Sequence, residues 1–193
     1  RSSKNDSEMQ QHVYIIILAR LSLSILAAIS LNILMMVLPG GYSSEVKSVF
    51  WLGSLAIIFQ GLYTSGNSWF QYKLSYWKST ISVVIGSLVG TGLTLYYLRY
   101  SPTLPHLVLA NTLGYLTMAI STLFLLPGLN GFTGKRIYET FPLLRRSLTL
   151  GLIIIASVIA SKIDTIILGV YRLSSEVGQY GFAYRIFDVI LVL

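Results

Sequence analysis

A chain of 193 residues that is 54% hydrophobic and only 11% charged cannot cover its surface in water, where about a quarter of residues usually carry charge. That excludes an ordinary soluble domain. Zero cysteines remove disulfides, thiolate metal sites and a cysteine nucleophile, and the net charge of +7 is scattered rather than gathered on one basic face for nucleic acid.

The hydrocarbon core is roughly 30 Å thick, so a crossing helix needs about 20 apolar residues. Runs of that order occupy 13–38, 46–66, 80–98, 106–126 and 148–170, and a sixth begins near Val177 and is still running at Leu193. The predicted fold class is all-α, a polytopic transmembrane helix bundle of five full spans plus a truncated sixth. The sequence opens on Arg1 in a polar segment without a signal-peptide pattern. Its last run holds about 15 residues where about 20 are needed. The expectation is an internal piece of a longer protein.

Within the first run, Arg20 sits roughly 10 Å in from the edge on a rise of 1.5 Å per residue. A side chain of that length can snorkel to the interface. Ser24 and Ala27 share its face and leave room for a close neighbour or a water-filled cavity. Pro39-Gly-Gly-Tyr ends the run, and Ser43 or Ser44 can cap the next helix.

After the second run, 67–79 holds Trp69, Phe70, Tyr72, Tyr76 and Trp77 among Lys73 and Lys78. The spacing of Trp69, Tyr72 and Tyr76 predicts one face of a short interfacial helix, read as an anchoring belt rather than a carbohydrate-stacking platform. Ser101-Pro-Thr-Leu-Pro105 turns the chain between the third and fourth runs. His12 and His106 are lone histidines at predicted membrane edges, and no His/Glu cluster has metal spacing. The connection 127–147 is the longest, with Gly128, Gly131, Gly134 and four basic residues.

The basic residues alternate between sides. Arg1, Lys4, Lys73, Lys78, Lys135, Arg136, Arg145 and Arg146 fall on one side, and only Lys47, Arg99 and Arg172 on the other. By the positive-inside rule the residue 1 side and the 127–147 connection are cytoplasmic.

Five ionisable residues remain inside the runs: Arg20, Lys162, Asp164, Arg185 and Asp188. Such groups are expensive in hydrocarbon and by default suggest a substrate or ion pathway. Lys162 and Asp164 are two apart and point to different sides of one helix, whereas Arg185 and Asp188 are three apart and can pair. Asp164 and Arg185 fall at similar depth across the 171–176 turn, so a cross-helix pair is geometrically allowed. Two readings stay open: a self-neutralising network that locks two helices, and a wet cavity in which basic groups meet an anionic ligand. Gly169, Gly178 and Gly181 read as turn or packing residues.

The late Asp164, a short polar turn and then Glu176-Val-Gly-Gln-Tyr180-Gly-Phe-Ala-Tyr184-Arg185 resemble the seventh and eighth helices of the lipid-linked oligosaccharide (polysaccharide) flippases. These belong to the superfamily that includes multidrug exporters. The resemblance implies two lobes totalling twelve to fourteen helices. On it, 1–126 is the remainder of the first lobe, 127–147 the cytoplasmic inter-lobe connection, and 148–193 the start of the second lobe. It further implies a protein of the bacterial inner membrane that is not an enzyme and needs no cofactor. Its function would be to move undecaprenyl-pyrophosphate-linked oligosaccharide by alternating access for O-antigen or capsule-type polysaccharide. Coupling to a Na+ or H+ gradient and association with a glycan polymerase complex and membrane lipids are implied as well. Arg20, Lys162, Asp164, Arg185 and Asp188 are then the candidate residues of a substrate cavity. The alternatives are a multidrug exporter of the same superfamily and a membrane-embedded envelope-glycan enzyme. For the enzyme, the outer loops offer only Glu45 and Glu176, each alone.

Overall fold

A computed structural model describes residues 2–37, 44–126, 137–172 and 174–192, with the side chains of 2–12, 137–150 and some later positions, Asp188 among them, outside that description. Among the described residues there are six α-helices and no strand: α1 (Ser2–Val37), α2 (Ser44–Tyr72), α3 (Tyr76–Tyr100), α4 (Leu104–Leu125), α5 (Ile137–Tyr171) and α6 (Ser174–Val192). Five of them contain a stretch long and apolar enough to cross a bilayer, at Val13–Val37, Ser44–Tyr72, Tyr76–Tyr100, Leu104–Leu125 and Gly151–Gly169. The protein is a multi-pass, all-helical membrane protein. α6 is not among the five, because Glu176, Arg185 and Asp188 fall within its 19 residues.

The helices extend further than hydropathy alone suggests. α5 begins at Ile137 rather than Leu148, so half of the expected long connection is helical. The basic residues Lys135 and Arg136 and the three glycines of that connection lie outside the described residues, as do Pro39-Gly-Gly-Tyr and Ser43. The aromatic segment is also different from expectation. It is not one short helix, because α2 continues through Tyr72 and α3 starts at Tyr76. Leu74 occupies the left-handed region (φ 53°) at the turn. The Ser75 N–H donates to Phe70 O at 2.8 Å and the Leu74 N–H to Gln71 O at 3.1 Å, the bonding of a helix C-terminus that reverses within three residues. Trp69 and Phe70 stand on the face of α2 that packs against α1 and the end of α4, and are buried.

The chain divides into two units, one built on α1–α4 and one running from Phe141 through α5 and α6. In the first, α2 packs against both α1 and α4, and α4 packs against α3, giving the spatial order α1, α2, α4, α3. Lipid tails are as apolar as leucine, so close backbone approach and hydrogen bonds must hold such helices together. Gly86 and Gly90 of α3 meet Gly114 of α4: a Cβ on Gly114 would lie 3.1 Å from both the Gly86 carbonyl oxygen and the Gly90 Cα. Between α2 and α4, the Thr112 hydroxyl donates to Leu52 O at 3.2 Å. Between α1 and α2, the Asn32 amide donates to Ser54 Oγ at 2.9 Å. At one end Val13 and Ile17 of α1 pack with Trp69 and Phe70, flanked by Leu125 of α4 and by Leu126 just beyond it.

The turn expected at Ser101–Pro105 is present. Pro105 stands in the first turn of α4, where its missing N–H has no helical partner to lose. His106 serves this turn: its Nδ1 lies 2.8 Å from Thr103 Oγ1 and 3.1 Å from Ser101 Oγ, and its ring stacks on Tyr97 at 4.7 Å.

Candidate functional site

The second unit carries a polar cluster within its predicted spans. Asp164 lies two turns before the end of α5 and Tyr180 nearly two turns after the start of α6, each about 10 Å along its helix from the connection. Equal depth brings them together. The Tyr180 hydroxyl donates to Asp164 Oδ2, and the Tyr184 hydroxyl donates to the same oxygen at 2.6 Å. Asp164 Oδ1 accepts the Thr165 backbone N–H at 2.7 Å. Tyr180 and Tyr184 are four apart on α6, so both rings stand on one face, 5.0 Å apart. An ionised carboxylate is acceptor-only, and these three donors use both of its oxygens.

Lys162 joins the cluster by a different route. Its Nζ lies 4.7 Å from the centroid of the Tyr184 ring, a cation–π distance. Lys162 and Asp164 leave α5 on different sides, as their spacing predicts, and Tyr184 is the group that both reach. The cluster therefore combines a carboxylate, two phenols and an ammonium, all contributed by two helices.

Arg185 is not part of it. Among the described residues Asp164 makes no ion pair with Arg185, and the tyrosine bonds stand in place of the cross-helix pair that equal depth allows. The reason is helical: Arg185 is about 100° around the axis from Tyr184 and so leaves the face that meets α5. It is exposed within the chain. The side chain of Asp188 lies outside the described residues. At the connection itself, Arg172 Nε lies 3.9 Å from Glu176 Oε2, an exposed i,i+4 pair of little energetic weight. Gly178 and Gly181 are not turn residues, since both lie inside α6, and a Cβ on either would meet nothing.

Arg20 belongs to the first unit. It opens on a cleft of about 400 Å³ between α1 and α2, shared with Ser24, Ala27, Gln60, Gly61 and Thr64. Ser24 and Ala27 do leave the room that their size suggests. Gly61 lets the two helices close, because a Cβ there would fall within contact distance of the Ser24 hydroxyl. No group of three or more His, Asp or Glu residues placed to hold a metal ion is found among the described residues.

The tyrosines were the missed members of the site. Their signal was legible as two hydroxyl-bearing rings at i and i+4, at the depth of the only carboxylate of the preceding run. Comparison with known proteins finds no match: no family model, no curated protein and no solved structure matches this chain. Function has to be argued from the site itself.

Proposed function

We propose that this chain is part of a flippase that moves undecaprenyl-pyrophosphate-linked oligosaccharide across the bacterial cytoplasmic membrane by alternating access. The observation that carries the reading is Asp164, a carboxylate inside an apolar helix, held by Tyr180 and Tyr184 of the next helix with Lys162 over the Tyr184 ring. An intramembrane ionisable group of this kind belongs by default to a substrate or ion pathway. The resemblance of 161–185 to the seventh and eighth helices of such flippases points the same way, and with it a complete protein of twelve to fourteen helices in two lobes.

Within that reading the roles divide by chemistry. Lys162 and Arg185 offset the charge of the pyrophosphate and of acidic sugars, and Arg20 does so from the first lobe, with Asp188 a further candidate by its place in the sequence. Asp164 acts as the coupling group for H+ or Na+. On protonation it loses the charge that strengthens both tyrosine bonds, and one of its oxygens becomes a donor. Ion occupancy is thereby linked to how tightly α5 and α6 are held. The residue 1 side faces the cytoplasm, and a glycan polymerase is the expected partner.

A multidrug exporter of the same superfamily is the second reading. Such a protein wants an acidic ion site in its first lobe, and within the four spans of α1–α4 the sole carboxylate, Glu45, stands in the first turn of α2 at the membrane edge. The test is the full-length gene in a host lacking its own flippase, with the cognate assembly enzymes supplied. Restored surface glycan supports the flippase. No glycan together with raised drug resistance favours the exporter.

A further inference from the structure

A cleft of about 490 Å³ opens where α2 turns into α3, wholly within the first unit. Its walls are of two kinds. Trp69, Phe70, Leu125 and Leu126 make an apolar floor, with Phe70 only 1% exposed, and Lys73, Ser75 and Lys78 form a polar rim. Aromatic rings hold the two ammonium groups. Lys73 Nζ is 5.5 Å from the Trp69 centroid and 5.6 Å from that of Tyr72, and Lys78 Nζ is 5.7 Å from that of Trp77. Among the described residues no acidic side chain lines the cleft, and none stands in the first turn of α3.

The level matters as much as the composition. Tyr72, Tyr76 and Trp77 are exposed at this end of the bundle, where amphipathic rings settle at the headgroups. Basic pockets between transmembrane helices at that level suit a phosphate joined to a hydrocarbon chain. We propose that this cleft binds an anionic phospholipid, with Lys73 and Lys78 on the headgroup phosphate and the half-buried Leu125 and Leu126 along the first part of an acyl chain. A zwitterionic lipid brings its own cation towards both lysines and is disfavoured. The site stands whether or not the protein is a flippase.

Native mass spectrometry of the full-length protein in detergent tests it, with dioleoyl phosphatidylglycerol and dioleoyl phosphatidylcholine as probes. Retention of the anionic lipid should exceed that of the zwitterionic one by more than about tenfold, and each of Lys73→Gln and Lys78→Gln should cut the preference about fivefold. The double variant should abolish it, whereas Lys47→Gln at the other end of α2 should keep it. If the double variant does not fold, the single variants decide. Equal retention of the two lipids, or a preference unchanged in both single variants, overturns the site. Displacement by soluble glycerophosphoglycerol at the same concentration as the lipid overturns it too, since the pocket would then take a free phosphate rather than a lipid.

Discussion

The two units are both helical and apolar, yet they are held in opposite ways. In α1–α4 the contacts are made by what side chains lack: Gly86, Gly90 and Gly114 bring two backbones together, and neutral bonds such as Asn32 to Ser54 add to them. Between α5 and α6 the contact is made by a carboxylate, two phenols and a cation–π pair. Within Gly151–Gly169 of α5 no described residue is buried within the chain, and Leu152, Ile153 and Val158 stay exposed. Small-residue packing yields a rigid frame and asks nothing of water or protons. A polar cluster can change with ion occupancy. The difference separates scaffold from candidate machinery without any reference to sequence relatives.

The largest expected effect falls on the frame. Gly114→Val places a branched side chain against the Gly86 carbonyl and should cost about 3 kcal/mol by overpacking, read as a drop in melting temperature of the detergent-solubilised protein. Gly92→Ala, where a Cβ meets nothing, is the matched control and should leave the melting temperature unchanged or slightly raised. Similar losses in both would mean that close approach is not what joins α3 to α4.

Next in size is the division of labour at Tyr184. Tyr184→Leu removes the hydroxyl and the ring that Lys162 sits over, whereas Tyr184→Phe removes the hydroxyl alone. Transport should fall about two- to fivefold in the Phe variant, the equivalent of one net hydrogen bond, and further in the Leu variant. Equal rates in the two variants would remove Lys162 from the cluster. The smallest effect is a gain. The Thr122 hydroxyl is buried with no partner, so Thr122→Val should stabilise the first unit by about 1 kcal/mol, measured by the same melting assay.

Hydropathy made most of the architecture legible, because span length and hydrocarbon thickness are tied by simple geometry. The runs beginning at Val46, Thr80 and Leu148 each lie within a helix, and those beginning at Val13 and His106 are helical as far as Val37 and Leu125. Helix ends were less legible. The polar stretch before Val13 and the basic stretch before Leu148 are helical although neither is apolar, since helix formation needs no hydrophobicity. Aromatic composition misled at Trp69 and Phe70, because a belt and a core use the same residues and only the packing of α2 on its neighbours decides which way they face. The glycine contact between α3 and α4 was visible as Gly86-x-x-x-Gly90 and passed unused. At the site, Lys162 and Asp164 stood out by charge. Tyr180 and Tyr184 did not, because tyrosine carries no hydropathy penalty that marks it inside a membrane.

The most direct test of the polar cluster as machinery rather than glue is Asp164→Asn in the full-length protein. Surface glycan and membrane protein level are measured together in the host lacking its own flippase. Asparagine keeps an acceptor oxygen for the tyrosines but cannot exchange an ion. Glycan should be lost by more than about tenfold, as expected for an essential coupling charge, with protein at the normal level. Glycan at the normal level, or lost only in proportion to lost protein, would contradict that role and leave Asp164 as a structural tie between α5 and α6.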